Sequence, residues 1–222
     1  MRSIAALLLA GAATAWSACA DPSDAEVDGG AATDGSGVDA GGDGAPGDPD
    51  GGEPCRATPA ATPAWLESYQ RDIVARLSGA TDITPGVQLA DRATANRRAI
   101  ARDWLSEALV AIGLSPALDV YGTGINLFAR LEPDRPPPAG DVEYVVLGAH
   151  FDSVSKSPGA NDNGTGVAAV LATARWVTDL TCRSRGFIVA FFDEEEVGLI
   201  GSHYFASRLL DDGVAVDAVH TI

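Results

Sequence analysis

The chain has 222 residues, a formal net charge of −16 and a hydrophobic fraction of 46%. This length allows one domain of ordinary size. Ten acidic residues and no basic ones lie in residues 21–53, which leaves a charge of only −6 for the rest of the chain. A domain that is mildly acidic gives no electrostatic reason to expect nucleic-acid binding.

Residues 1–19 have the pattern of an export signal. Arg2 precedes an apolar stretch, and small residues precede Cys19. The apolar stretch has about a dozen residues, whereas a membrane-spanning helix needs about twenty. The pattern resembles a bacterial lipoprotein signal with Cys19 as the lipidated residue, although Trp16 stands where an aliphatic residue is usual. We therefore expect contact with a membrane only through a lipid anchor at Cys19.

Plain secretion, with cleavage near Ala18 or Ala20, is the alternative. A lipoprotein would lie at the bacterial outer surface or in the periplasm. Both alternatives predict an extracytoplasmic location.

Residues 20–54 are rich in glycine and aspartate and have almost no large apolar side chain. Such a segment cannot bury enough surface to offset its chain entropy, so we expect a disordered, self-repelling linker before a domain at 55–222. Two cysteines remain in that domain, Cys55 and Cys182. In an oxidising compartment a disulfide between them is the preferred interpretation, and two unpaired buried thiols are the alternative.

Two helices are expected first. Thr62 and Pro63 indicate a helix start, with the threonine as cap and the proline at the first helical position, and Gly79 ends this helix. A second helix is expected from about Thr94 to Ile112. The aromatic residues of both helices are expected in the core rather than at a ligand.

The remaining elements alternate between strands and helices. Strands are expected at 118–121, 125–131, 144–150, 187–192 and from 216, with helices at 164–179 and 198–210. The two strongly apolar strands, 144–150 and 187–192, are expected to be parallel neighbours that are buried on both faces. The order predicts an α/β domain around a mixed, mostly parallel sheet flanked by helices.

Imidazole and carboxyl groups follow these two apolar strands. His150 and Asp152 come at the end of the first, and Glu195 and Glu196 follow the second. Ligands of open α/β sheets bind outside the carboxyl ends of the strands, so these groups are expected to meet in one cleft.

The residue types in this cleft suit a metal ion. A histidine, the loop residue Asp162 and a glutamate pair offer nitrogen and oxygen ligands, a set that suits zinc, with cobalt or manganese as substitutes. Asp152 is placed to accept the free imidazole N–H of His150 and so to fix its tautomer. Of the two glutamates, one can bind metal while the other activates water.

Three motifs, HFDSV, GANDNGTG and EEEVGLIGSHYF, resemble those of the family-28 metallopeptidases, the co-catalytic zinc aminopeptidases and their relatives. The resemblance implies a zinc aminopeptidase-like fold, two zinc ions and hydrolysis of the N-terminal residues of a peptide substrate. It implies His150 as a ligand of one zinc, Asp162 as the bridging carboxylate and Glu196 as a ligand of the second zinc. It further implies Glu195 as the general base and Asp152 as the residue that orients the histidine.

The resemblance also implies a cis peptide bond between Asp162 and Asn163. The family uses two more ligands, an aspartate after the next strand and a histidine much further on. The chain ends at Ile222, before either would come. We therefore expect the front portion of a longer enzyme, incomplete at its C-terminal side, which binds zinc weakly and hydrolyses little or nothing.

Four other titratable residues are not expected to be metal ligands. His203 is expected on a helix in a packing or surface position, and His220 lies on the last strand, from which it could reach a metal only by distortion. Asp193 and Glu194 are interpreted as a solvated pair of acids, or one that supports the ligands from outside.

Three other functions stay open. A co-catalytic zinc deacylase or carboxypeptidase shares similar motifs, but its loop aspartate is followed closely by a lysine, which residues 161–166 lack. A glutaminyl cyclase with one zinc is a weaker alternative. A non-catalytic, surface-anchored binding module of the same fold is the alternative outside the enzymes. The sequence indicates neither the preferred substrate side chain nor the oligomeric state.

Overall fold

Five strands and four α-helices make up residues 62–222, the part of the chain that the computed structural model describes. In chain order they are α1 (Leu66–Leu77), α2 (Ala95–Ala111), β1 (Pro116–Val120), β2 (Ile125–Leu131), β3 (Glu143–His150), a π-helical turn (Ala160–Thr165), α3 (Gly166–Thr178), β4 (Gly186–Phe192), α4 (Ile200–Asp211) and β5 (Ala215–Thr221). No helix in this part of the chain is long and apolar enough to cross a bilayer.

The strands form one sheet in the order β1-β2-β4-β3-β5. β2 pairs antiparallel with both β1 and β4, whereas β3 pairs parallel with β4 and β5. Four of the five strands therefore point the same way, which confirms the expected mixed, mostly parallel sheet. The two most apolar strands, β3 and β4, are parallel neighbours as predicted.

Both faces of the sheet are covered, because successive side chains of a strand point to opposite faces. Helices α1, α2 and α3 pack on one face and α4 on the other. The first core includes Leu105, Leu127, Leu147, Leu171 and Val189. The second includes Phe128, Val146, Ile188, Phe205 and Leu209. Burial on two sides explains why β3 and β4 lack the alternation of apolar and polar residues that a half-exposed strand shows.

The two helix starts differ from each other. In α2, which begins close to the expected Thr94, Thr94 Oγ1 accepts a hydrogen bond from the backbone N–H of Arg97. The expected cap at Thr62 is wrong: α1 begins at Leu66, whose backbone N–H donates to the carbonyl of Pro63. A backbone turn thus accepts this N–H without a side-chain cap.

Cys182 is disulfide-bonded, while Cys55, its predicted partner, lies outside the described residues. The expectations for residues 1–19 and 20–54 also fall outside them.

A buried arginine ties the segment before α2 to the loops that follow β3. Arg92 is fully buried, and its guanidinium donates to the carbonyls of Leu77, Phe151, Pro158 and Gly159 at 2.5–3.0 Å. Burial lowers the pKa of Arg92 to about 10, so it stays charged at neutral pH. Four carbonyl acceptors share this charge, which offsets the cost of taking it out of water.

Replacing this arginine is predicted to destabilise the domain. Arg92→Met leaves four carbonyls without their donor, three of them in buried hydrogen bonds, and we expect the free energy of unfolding to fall by about 3 kcal/mol. Urea denaturation at neutral pH measures the loss. Arg71→Met is the control, because Arg71 pairs with Glu67 at the surface; equal stability of the two variants would contradict the role of Arg92.

Candidate metal centre

The site lies where β3 and β4 end. The parallel register pairs His150 with Phe192, and the backbone N–H of Phe151 donates to the carbonyl of Phe192 at 2.9 Å. The segments that leave the two strands therefore begin side by side at one edge of the sheet. One carries Asp152, and the other is the glutamate segment, residues 193–196.

Three predicted ligands meet at this edge. His150, Asp162 and Glu196 each offer one ligand atom, and these atoms lie within 4.8 Å of one another. His150 Nε2 is 3.0 Å from Asp162 Oδ1. Among residues 62–222 this is the one group of three or more such side chains that could hold a metal ion. One imidazole nitrogen and two carboxylate oxygens fit zinc, for which three protein ligands are usual in a catalytic site.

Asp152 is buried and contacts both His150 and the glutamate segment. Its Oδ1 lies 3.3 Å from His150 Nδ1 and accepts the backbone N–H of Glu195 at 3.1 Å. Its Oδ2 accepts the backbone N–H of Glu196, also at 3.1 Å. With Nδ1 protonated toward this carboxylate, Nε2 is left free to face a metal ion.

Glu195 lies beside the group of three. Its Oε2 is 3.8 Å from His150 Nε2, and about a third of its side chain is exposed. The carboxylate can therefore contact solvent and also a water molecule located among the three ligands. This is the placement that a general base needs.

Asp162 reaches the group from the loop before α3. The peptide bond between Asp162 and Asn163 is cis, as the resemblance implies. Asn163 Oδ1 accepts the backbone N–H of Gly166, so this side chain closes the start of α3. Gly159 opens the loop in the left-handed region, where a side chain would also collide with the guanidinium of Arg92.

Charges within the site shift the pKa values of three groups. Burial opposes protonation of His150, but the hydrogen bond and charge of Asp152, with the charges of Glu195 and Asp162, outweigh it and raise the pKa of the imidazole. Burial also opposes ionisation of Asp152, yet its hydrogen bonds lower its pKa. For Glu196, burial and the charge of Asp162 raise the pKa. The crowded negative charge thus favours a cation at this place.

The remaining candidates lie outside the group. His203 and His220 are exposed and contribute no ligand atom, in keeping with the expectation for both. Asp193 and Glu194 are also outside it. Of the two expectations for this pair, a solvated pair is wrong, because both residues are buried, and support of the ligands from outside stays a prediction.

The partner of these two acids is Arg98 on α2, which the sequence analysis missed. The apolar stripe of that helix predicts its buried face but gives no signal for an arginine that reaches another segment.

Comparisons with known proteins agree with this architecture. Residues 126–220 match the family model described as "Peptidase family M28". The chain is 36% identical over 113 residues, 48% of its length, to "Leupeptin-inactivating enzyme 1" of Streptomyces exfoliatus, and 49% identical over 65 residues, 29% of its length, to "Probable lipoprotein aminopeptidase LpqL" of Mycobacterium tuberculosis. The matches cover 24% and 13% of those relatives, so the chain spans a quarter or less of each.

The structure of the Legionella pneumophila LapA aminopeptidase has a similar fold, with a TM-score of 0.61 at 19% identity over 70% of this chain and 42% of that one. The sheet and its flanking helices therefore define an α/β domain whose fold is similar to that of this aminopeptidase. Within it, residues 126–220 are similar to peptidase family M28.

The role of Asp152 can be tested without metal. In the metal-free chain, Asp152→Asn is predicted to lower the pKa of His150, because the charge that raises it is removed and burial, which lowers it, remains. NMR titration of the imidazole protons measures the change. Asp211→Asn, at the exposed end of α4, is the control; an unchanged pKa of His150 in Asp152→Asn would exclude the proposed coupling.

Proposed function

We propose that the domain is a zinc-dependent metallopeptidase of the aminopeptidase kind, which removes N-terminal residues from peptides. The observation that carries this proposal is the meeting of His150, Asp162 and Glu196, with Glu195 at their side. The match to peptidase family M28 and the names of the relatives support it. The substrate class comes from those names and from the chemistry of the site.

In this proposal His150, Asp162 and Glu196 hold zinc through Nε2 and two carboxylate oxygens. Asp152 keeps His150 in the tautomer that leaves Nε2 free, and its hydrogen bonds to two backbone N–H groups keep the glutamate segment beside the imidazole. A bound zinc ion supplies Lewis acidity, which polarises a carbonyl and lowers the pKa of water.

Glu195 carries the proton. Its Oε2 accepts a proton from the attacking water, and the carboxylic acid so formed donates that proton to the nitrogen of the leaving amine. Its partial exposure allows this exchange, while the hydrogen bond of its backbone N–H to Asp152 fixes where the side chain begins.

The described residues bring together ligands for one ion. Two ions, as the resemblance implies, need ligands beyond this group of three. Asp162 suits a bridging role, because 74% of its side chain is exposed and its second oxygen is not needed for the first ion. We propose that the 222-residue chain binds one zinc ion, holds a second weakly and hydrolyses peptides slowly.

Residues 1–54 lie outside the described part, and for them we propose a lipoprotein signal at 1–19 and a linker at 20–54. The relative from Mycobacterium tuberculosis, named a lipoprotein aminopeptidase, supports an extracytoplasmic location. The lipid would attach at Cys19, the first cysteine of the chain.

The enzymatic proposal predicts different effects for two substitutions. Glu195→Gln should retain zinc, because Glu195 is not one of the three ligands, but lose hydrolysis of leucine p-nitroanilide by about 100-fold or more. His150→Ala should lose both zinc and hydrolysis. Calorimetric titration with zinc measures binding, and release of nitroaniline measures turnover.

His203→Ala, at the surface of α4, serves as the control for loss of a histidine. N-acetyl-leucine p-nitroanilide tests the need for a free amino terminus, and equal release of nitroaniline from both substrates would contradict an aminopeptidase. Release of acetate from the acetylated substrate, without nitroaniline, would instead favour a deacylase. Zinc binding with no hydrolysis above that of Glu195→Gln would instead support the binding module.

The anchor is tested separately in a bacterial host. Cys19→Ala should abolish labelling of the chain with radioactive palmitate and release it from the membrane fraction, because its thiol is the proposed point of attachment. Cys55→Ala is the control and should keep the label. Labelling that persists in Cys19→Ala would exclude the anchor.

A further inference from the structure

The glutamate segment contains two acids that the proposed mechanism does not use. The side chains of Asp193 and Glu194 are only 3% and 8% exposed. Burying two adjacent carboxylates is costly unless each has a cationic or hydrogen-bonding partner. Their shared partner is Arg98 in the first turn of α2, an element that contributes no ligand to the site.

Arg98 contacts both acids. Its Nε lies 2.6 Å from Asp193 Oδ1, and its Nη2 donates to Glu194 Oε1 at 3.1 Å. The first contact is ionic rather than a directed hydrogen bond, because the Nε–H does not point at that oxygen. The guanidinium is itself fixed by a hydrogen bond from Nη1 to the carbonyl of Ala93.

The other carboxylate oxygens of this pair are also bound. Thr123 Oγ1, in the turn between β1 and β2, donates to Glu194 Oε2 at 2.6 Å. The backbone N–H of Ile125 donates to Asp193 Oδ2 at 3.1 Å. Glu194 has a backbone φ of 58°, in the left-handed region that non-glycine residues rarely adopt. Its side chain is thus held at both oxygens where its backbone changes direction.

The next two residues are Glu195 and Glu196, and their backbone N–H groups both donate to Asp152. The backbone at Glu194 sets the direction in which the following residues leave β4. Contacts that fix Glu194 therefore determine whether both N–H groups reach Asp152 and whether both carboxylates reach the site.

We propose that Arg98 is a positioning residue of the metal site: through Asp193 and Glu194 it places the proposed base Glu195 and the proposed ligand Glu196. This inference rests on the proposed function. It adds α2 to the elements that build the site, although α2 contributes no group to the chemistry.

Arg102 offers a matched control. It lies one helical turn after Arg98, and its side chain is 12% exposed against 13% for Arg98, but its ionic contact is with Asp103 at 3.8 Å. Arg98→Met and Arg102→Met thus remove the same group from the same helix at the same burial. A purely structural role of Arg98 predicts that zinc affinity does not distinguish them.

The test is the zinc affinity of the 222-residue chain, measured by competition with a chromogenic chelator, together with the visible absorption spectrum of the cobalt form. Arg98→Met should weaken zinc binding by about tenfold or more, as loss of a supporting contact does at other metal sites, and should change the cobalt spectrum. Arg102→Met should leave both unchanged. Thermal unfolding shows whether the variants are folded.

If Arg98→Met does not fold, the same two measurements are made on Arg98→Lys and Thr123→Val. Lysine keeps the charge without the guanidinium fork and should lose part of the affinity, and valine removes the hydroxyl that holds Glu194. If the parent chain binds zinc and the Arg98 and Thr123 variants match it in affinity and spectrum, the inference is wrong and the proposed function stands. A parent chain that binds no zinc overturns both.

Discussion

The carboxylate of Asp152 is the interaction on which the site depends. It is buried, so its charge must be met by hydrogen-bond donors. The donors are the imidazole of His150, from the end of β3, and the backbone N–H groups of Glu195 and Glu196, from the glutamate segment. One charge thus fixes the histidine ring and the glutamate segment relative to each other. The parallel register of β3 and β4 makes this possible, because the two strands end side by side and both segments begin at the same edge of the sheet.

Much of this arrangement could be predicted from local signals. The apolar runs of β3 and β4 indicated strands buried on both faces, and the rule that ligands gather at the carboxyl ends of such strands predicted that His150 and Glu196 meet. Asp162 was expected there because of its glycine-rich loop and the family resemblance. These predictions needed only the direction of two neighbouring strands and the length of one loop.

The parts that were missed depend on contacts between segments far apart in the chain. Arg92 binds Phe151 and Arg98 binds Asp193, about sixty and ninety-five positions further along the chain. Neither lies on an apolar stripe, and an arginine in a polar stretch normally indicates a solvated surface. The burial of Glu194 follows from Arg98 and could not be predicted without it. The cap at Thr62 failed for a local reason, because the turn at Pro63 accepts the first helical N–H.

Support within the site is unequal, and this bears on how a metal ion would bind. The imidazole of His150 and the backbone of Glu196 are held by the buried carboxylate of Asp152, whereas the side chain of Asp162 is 74% exposed and contacts only His150 Nε2 among the three. Immobilising an exposed side chain costs conformational entropy. In the proposed site, His150 and Glu196 are therefore preorganised as ligands, and the side chain of Asp162 would be ordered on binding of the ion. In the proposed site, the freedom of Asp162 would allow this carboxylate to serve one ion or two, while the less exposed His150 and Glu196 would set where the first ion lies.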